Sequence, residues 1–556
     1  MPIMRVRDIG AKGVIKDLPS FDLPSSAWTD SNNVRFIANR IEKIGGFFPV
    51  LYENMPDEAP LAILSRNNSQ DQLYATKDSI YLVNGRNHYN VSKLHKNESG
   101  EDVPYSYHAI PESTWYYTTL SNSIVMNTPL DNPQGLTPGA DKFSDIPGWG
   151  IPNKSSPNTK VDWKAGRIRA YKNYLVALDL TEAGVGYPQR VRWSDISYVN
   201  GLPTNWYQDS ETNDGGFNDL SDANGRIVDG LPLRDSFVVY TDQETYLMEY
   251  IGGINIFQFK KLFSESGILA PECVAEFEQK HFVITKDDIF VHNGSSKQPV
   301  ASGRVKQYLI EEISSTNPYA TKVFAYTPRK EIWITYVGPG QKSETNSDLG
   351  WTCNKCAIWN WEWDTWYFTD IPPSFDINLA PPPEVDTLMW EEFSEEDDYW
   401  DSTKWKDEQW SILGKDFVRR IPYIASSDKC LYTIDTGEDQ VRRVGGKEVR
   451  KPVVASLTRY QLDMDEVVES IRSHKFIKHI TPQIRGNGEI HCYVGGSNNS
   501  TQEPTWDNYQ IFDIEEDVKI DAFSNNRYPA IRFMDFGKGS WSFQGYDIDF
   551  VVEGVR

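Results

Sequence analysis

Cysteine is scarce: Cys273, Cys353, Cys356, Cys430 and Cys492 are the five in 556 residues. So sparse and odd a set is no disulfide framework and fits a chain that folds in a reducing compartment. No stretch approaches the ~18 consecutive apolar residues of a membrane span. The opening MPIMRVRDIGAKGVIKD has no apolar core of signal-peptide length, so neither a membrane span nor ordinary secretion is expected. Positive charge is short as well, with 56 Lys and Arg against 79 Asp and Glu, a formal net charge of −23. That balance excludes a surface that grips a phosphate backbone all over, though not one past which nucleic acid slides. Helical periodicity is rare, and 271–279 (PECVAEFEQ) and 303–313 (GRVKQYLIEEI) are the short helices expected.

What is abundant points to folded β structure. Aromatic side chains make up 13% of the chain, with 18 Trp and 29 Tyr, which excludes global disorder. At ~150 residues per domain the length implies two to four domains or one large repetitive one. Runs rich in Val, Ile, Tyr, Phe and Trp, bounded by Gly, Asn, Asp and Pro, read as strands at 73–83, 173–180, 236–250, 281–292, 322–337, 356–369 and 430–435. Two distant segments match: ATKDSIYLVNG (75–85) and ITKDDIFVHNG (284–294) share six of eleven positions. The unit is a hairpin, with a tight turn at Lys-Asp between two strands and an Asn-Gly turn tolerant of positive φ after them. Weaker copies lie at 171–180, 235–248 and 428–437.

Hairpins recurring between variable loops are what β-propeller blades look like. A propeller is therefore expected over 61–440, with insertions at 90–165 and 340–428 and a blade number that the pattern leaves open. Residues 1–60 read as a segment packing on the platform or propeller, and 439–451 (DQVRRVGGKEVRK) as a polar connector. Residues 452–556 read as a C-terminal antiparallel β-sandwich-like domain, with strands at 474–484, 489–494, 528–534 and 543–552 and a Gly-Asn-Gly turn at 486–488. The fold class expected is mainly β.

Motifs that carry chemistry are few. Cys353-Asn-Lys-Cys356 is a CxxC without a second pair or a His at ligand spacing, and it sits in a Trp-rich strand region. Neither a zinc site nor a redox motif is expected there. His474 and His479 are five apart, opposite faces of a regular strand, with His491 on the next strand. No Gly-rich phosphate loop, HExxH or GxSxG occurs, and the Ser-x-Asp-x-Gly-x-Thr-Trp turns of sialidase-type propellers are missing. Paired carboxylates for glycoside hydrolysis stay open among 79 acids, but nothing nominates a nucleophile. The chain is read as a non-enzyme without catalytic, cofactor-binding or metal-binding residues.

Trp359, Trp361 and Trp363 alternate, which predicts one face of a strand, and Trp366, Tyr367 and Phe368 follow. Core or blade-to-blade packing is the expected role, with a sugar-stacking platform or a subunit interface as alternatives. Nine acids lie between Glu384 and Asp401, either a solvated inserted loop or an acidic face turned to a specific partner.

One ordered succession goes further. It runs through PQRVRWSDISYVNGLPTNW (188–206), GRIVDGLPLRDSFVVYTDQETYLMEYIGG (225–253), Ile256-Phe257, SESGILAPECV with Gly267, HFVITKDDIFVHNG (281–294) and Gly303-Arg304-Val305. This resembles the tail nozzle, or tail tubular, proteins of short-tailed phages (podoviruses) and the related packaged-DNA stabilisation family. The ending AIRFMDFGKGSWSFQGYDIDFVVEGVR and the opening GVIKDLPSFDLPSSAWTDSNNVRFIANRIEKIGGF are similar to theirs. The resemblance touches the N-terminus, about 188–310 and the last hundred residues; 90–165 and 340–450 carry none of it.

The resemblance implies a structural virion protein of the tail, assembled in the host bacterial cytoplasm. It implies a hexameric ring below portal and adaptor that continues the DNA channel, carries tail fibres or spikes, retains double-stranded DNA and conducts it during ejection without sequence-specific binding. Six copies would carry a formal charge of about −138. An acidic lumen repels phosphates across a gap comparable to the Debye length of about 8–10 Å, keeping DNA centred and mobile. The run 391–401 (EEFSEEDDYWD) is a candidate lining, and the basic set Arg442, Arg443, Lys447, Arg450 and Lys451 a candidate contact with an acidic neighbour. The competing classes are a carbohydrate-cleaving propeller of the tail and a carbohydrate-binding one.

Overall fold

The computed structural model describes residues 2–65, 72–84, 86–153, 159–208, 213–253, 255–339, 350–381, 420–462, 464, 467–468, 473–537 and 539–554. The acidic run 391–401 lies outside the described residues.

Five four-stranded antiparallel sheets follow one another: 62–90, 116–145, 163–219, 227–263 and 274–299. A nine-stranded sheet comes next and divides within one long strand, Thr365–Ala380. Its first part pairs with Cys353–Asn360 and completes a sixth blade begun by Lys322–Tyr326 and Glu331–Tyr336. A bulge between Ser374 and Asp376 turns the rest into the inner strand of a seventh, paired with Ile421–Ser426 and then Cys430–Ile434. The outer strand of that blade is Phe47–Val50, from the other end of the chain. Apolar clusters fill the seams between blades: Leu64, Trp115 and Met126 between the first and second; Leu120, Trp163 and Trp206 between the second and third; Phe237 with Val191 between the third and fourth. Ile63, Ala380 and Tyr423 close the seam between seventh and first, so the ring is a seven-bladed propeller.

The repeated sequence unit has a physical cause. In 76–79 and 285–288 the Thr backbone N–H donates to the carbonyl three positions on in the turn (Thr76 N to Ser79 O, 2.8 Å; Thr285 N to Asp288 O, 2.9 Å). The Thr hydroxyl accepts backbone N–H groups of the same turn. The weaker copy at 235–248 builds the identical turn, with Thr241 Oγ1 accepting from Glu244 N at 2.7 Å. A threonine here replaces a loop's missing backbone partners while its methyl stays in the core.

The second body is a sandwich of two six-stranded antiparallel sheets. One contains Val34–Ile37, Arg40–Lys43, Trp541–Glu553, His474–Gly486 and Ile520–Asn526, with Ile3–Val6 also on Trp541–Glu553. The other contains Asp30–Asn32, Ala455–Arg459, Tyr528–Asp535, Glu489–Ser497 and Thr505–Trp506, with Gln510–Asp513 also on Glu489–Ser497. Phe533 of one sheet meets Phe543 and Tyr546 of the other at 5.0 and 5.7 Å, and Trp28 packs on all three. The first fifty residues are thus divided between the two bodies, as sandwich strands and as the strand that closes the propeller.

The same segment joins the bodies. Val14 N donates to Trp366 O and Asn33 N to Phe368 O, both on the sixth blade. Arg35 is buried between Glu331 (Nε to Oε1, 2.6 Å) and Asp435 (Nη2 to Oδ2, 2.9 Å), tying a sandwich strand to blades six and seven at once. The expected helix at 303–313 forms as Lys306–Ser315, buries Leu309 and Ile313, and is capped by Asp17, whose carboxylate accepts Gln307 N and Tyr308 N.

Three local expectations are corrected. The segment 271–279 is not helical: Val274–Phe277 is the first strand of blade five, ended by Glu278 and Gln279, both at positive φ in a two-residue hairpin turn. The segment 439–451 is not a connector but a hairpin, Asp439–Val444 and Lys447–Pro452, turned at Gly445-Gly446 with φ of 59° and 79°. Trp359, Trp361 and Trp363 do not share a strand face, because the strand ends at Asn360 and the two later tryptophans lie in the turn that follows.

Candidate functional site

The inner strands converge on the propeller axis, where apolar strand sequences are interrupted by charge. Arg167 and Arg169 alternate on Trp163–Tyr171 and so project from one face. Arg169 grips Asp229 of blade four through two hydrogen bonds, Nε to Oδ1 at 2.9 Å and Nη2 to Oδ2 at 2.7 Å. Asp229 also accepts the backbone N–H of Glu272, which opens blade five. Lys322 of blade six sits between Glu272 (2.8 Å) and Asp376 of blade seven (3.0 Å). Asp376 in turn accepts Ile63 N of blade one. Asn378 donates to Tyr117 Oη, which brings in blade two. A belt of side chains therefore links the inner ends of all seven blades around the axis.

The belt's electrostatics follow from burial against pairing. Burial alone would push the Asp229 carboxyl up, but Arg169 outweighs it and holds Asp229 below the usual carboxylate range. Burial would likewise lower Lys322, but Asp376 and Glu272 together raise it. Asp376, which shares its lysine with Glu272, ends above the usual range because burial and that second carboxylate outweigh Lys322.

Beside the belt lies a cavity of about 520 Å³, whose wall includes Thr114, Tyr116, Arg167, Arg226, Leu269, Lys286, Trp351 and Phe375. This is within the ~300–1,000 Å³ of small-molecule sites, which are largely apolar with a few fixed polar groups. Each carboxylate in the wall except exposed Glu112 is engaged: Asp179 with Arg226 (2.6 Å), Glu272 with Lys322, and Asp242 with Arg226 N (3.0 Å). These residues carry no motif. Their one sequence signal is an Arg-x-Arg alternation inside an otherwise apolar strand, which implies charge turned inward.

The residues singled out by sequence lie elsewhere. Cys353 and Cys356 are both buried in blade six, and burial pushes the Cys353 thiol up to about 12. His474 and His479 fall on the same face, because a bulge between Ile477 and His479 absorbs one residue of the strand. His479 Nε2 lies 2.6 Å from Asp549, whereas His491 stacks on Tyr509 in the other sheet, so the three do not converge. Trp359 packs on Phe282 (5.6 Å) and Trp366 (6.3 Å), and Trp361 on Phe277 (4.8 Å), as the expected blade-to-blade filling; Trp363 is half-exposed.

In the basic hairpin, Arg442 clasps Asp428 and Arg443 stacks on Tyr52, while Lys447–Pro452 is an exposed edge strand. In 188–206, Arg190 and Arg192 clasp Asp219 and Glu182 within blade three, and the next loop displays Tyr198 and Val199 at 87% and 80% exposure. Among the described residues no group of three or more His, Cys, Asp or Glu is placed to hold a metal ion, and no helix is long and apolar enough to cross a membrane.

No protein-family model and no curated protein matches the chain. Among solved structures it is similar to PorZ, a surface component of the type-IX secretion system of Porphyromonas gingivalis, at 8% identity and TM-score 0.35. That match covers 84% of this chain and 46% of PorZ, so the chain spans about half of that protein's length. It is also similar to YCF48 bound to D1 peptide (9% identity, 70% of this chain and 95% of that one, TM-score 0.35). A third is the Neurospora crassa Pan2 WD40 domain (10% identity, 71% and 94%, TM-score 0.34).

Proposed function

We propose that this β-propeller protein is a structural subunit of a short phage tail: a nozzle protein that forms a six-fold ring below the adaptor, retains double-stranded DNA in the virion and conducts it during ejection. The observation that carries the reading is the ordered motif succession at 188–305, which falls on three consecutive blades and the loop between them. The loop 195–202 adds support, because Ile196, Tyr198 and Val199 are exposed together and such apolar tips mark contacts with a partner. The stitching of both chain ends into one body suits a part that bears load.

In this reading the DNA path lies between copies, since each copy's own inner strands are tied closely together by the ion-pair belt. The net charge of −23 keeps that path slippery. The exposed hairpin edge, with Lys447, Arg450 and Lys451, meets an acidic neighbour and sets register. Native mass measurement and electron microscopy of the full chain, alone and on adaptor-bearing heads, test the proposal. Rings of six with an axial hole support it. Monomers that fail to join adaptor-bearing heads, together with cleavage or capture of host polysaccharide, overturn it in favour of a carbohydrate-directed propeller.

A further inference from the structure

The axial cavity holds a charge that no described residue neutralises by contact. Arg167 is 7% exposed, lies with its guanidinium carbon 3.3 Å from the ring centroid of Tyr116, and makes no ion pair among the described residues. Among the described residues its guanidinium makes one hydrogen bond, from Nη1 to the carbonyl of its neighbour Gly166, and its buried Nε meets no acceptor. The Thr114 hydroxyl in the same wall likewise meets no partner among the described residues. Asp179 and Asp229 feel the charge at a distance, but each is already clasped by another arginine, Arg226 and Arg169.

A buried cation normally sits in a carboxylate's grip, because an unmatched donor loses its hydration without return. Arginine presents a planar fork suited to carboxylate and phosphate, and stacking on an aromatic face holds that fork in place beforehand. Beside it the cavity offers about 520 Å³, with Trp351, Phe375 and the exposed Lys286 in its wall. We propose that the propeller axis is a binding site for a small organic anion, whose carboxylate or phosphate is held by Arg167 and whose body fills the aromatic-walled cavity. The site is independent of ring formation and stands or falls separately from the tail assignment.

Isothermal titration of the full chain with inorganic phosphate, glucuronate and benzoate, and with glucose as the uncharged control, reads the site directly. Binding of at least one anion and none of glucose is expected, and the arm that binds tells phosphate from carboxylate. Arg167→Gln weakens that binding by about tenfold or more, since a hydrogen bond to a charged group is worth upward of a decade in affinity. Trp351→Phe removes the fluorescence change that accompanies binding, because that ring borders the ligand. Because a buried arginine can matter for folding, crystals of the unaltered chain soaked with an anomalously scattering form of the anion that binds (arsenate or p-iodobenzoate) locate it independently, with a peak beside Arg167. No anion binding at ~10 mM, a peak only elsewhere, or undiminished affinity in a folded Arg167→Gln chain overturns the proposal.

Discussion

Replacing Arg35 with methionine keeps the stem's volume and removes the charge that joins the two bodies. Glu331 is fully buried and would retain only neutral donors, Tyr367 Oη at 2.7 Å and Trp333 Nε1 at 2.9 Å. Asp435 fares better, keeping Arg329 at 2.9 Å and Gly45 N at 3.2 Å. The loss therefore falls mainly on one uncompensated carboxylate, which places it in the range of about 3–5 kcal/mol for breaking a buried pair from one side. Guanidinium unfolding followed by tryptophan fluorescence measures it, and the variant should lose the single transition as the sandwich separates from the propeller. Arg35→Met/Glu331→Gln should recover part of the loss, because the stranded charge goes with it. A single-variant loss below about 1 kcal/mol, or strict additivity in the double variant, would refute the reasoning.

Between blades four and five, Tyr240 Oη contacts His281 Nδ1 (2.8 Å) and His292 Nε2 (2.6 Å), while His281 Nε2 donates to Pro232 O. Burial lowers His281 to about 4, and burial with the neighbouring His281 lowers His292 to about 3, from an ordinary 6.5. The unfolded chain thus binds protons that the native state refuses, so stability is complete above about pH 6.5 and is lost as pH falls toward 4. His281 alone should account for roughly 3 kcal/mol of that loss, and His281→Gln should flatten the slope in a pH series of unfolding curves. Gly267→Ala should destabilise by about 1–3 kcal/mol or more, read as a lowered Tm, since a Cβ would stand 2.1 Å from Gln243 N and 2.2 Å from Asp242 C. Reversing Lys447, Arg450 and Lys451 to glutamate should leave Tm within a degree or two while abolishing ring formation by native mass measurement. Replacing several acids of 391–401 with lysine should slow DNA ejection without blocking assembly, and unchanged ejection kinetics would remove that segment from the lumen.

The propeller was legible because its hairpin unit recurs along the chain, with Thr76 and Thr285 at the same place in two copies. Blade number was not, because the seventh blade borrows Phe47–Val50 from some 380 residues away and shares the strand Thr365–Ala380 with the sixth. Neither long-range pairing leaves a local trace. Cys273, Val274 and Phe277 mimic helical spacing, and only the positive φ of Glu278 and Gln279 decides for a hairpin. The Gly-Gly at 445–446 was the stronger signal in 439–451, but the charge run around it masked the turn. The axial belt was illegible as a site because its members sit one or two to a blade, with Tyr117 and Asn378 alone 261 residues apart.

The most direct test of the central claim is electron microscopy of adaptor-bearing phage heads mixed with the purified chain. The account predicts a six-fold density continuous with the portal channel, with a central hole wide enough for duplex DNA. Heads that remain bare, with the chain left as free monomers, would contradict it.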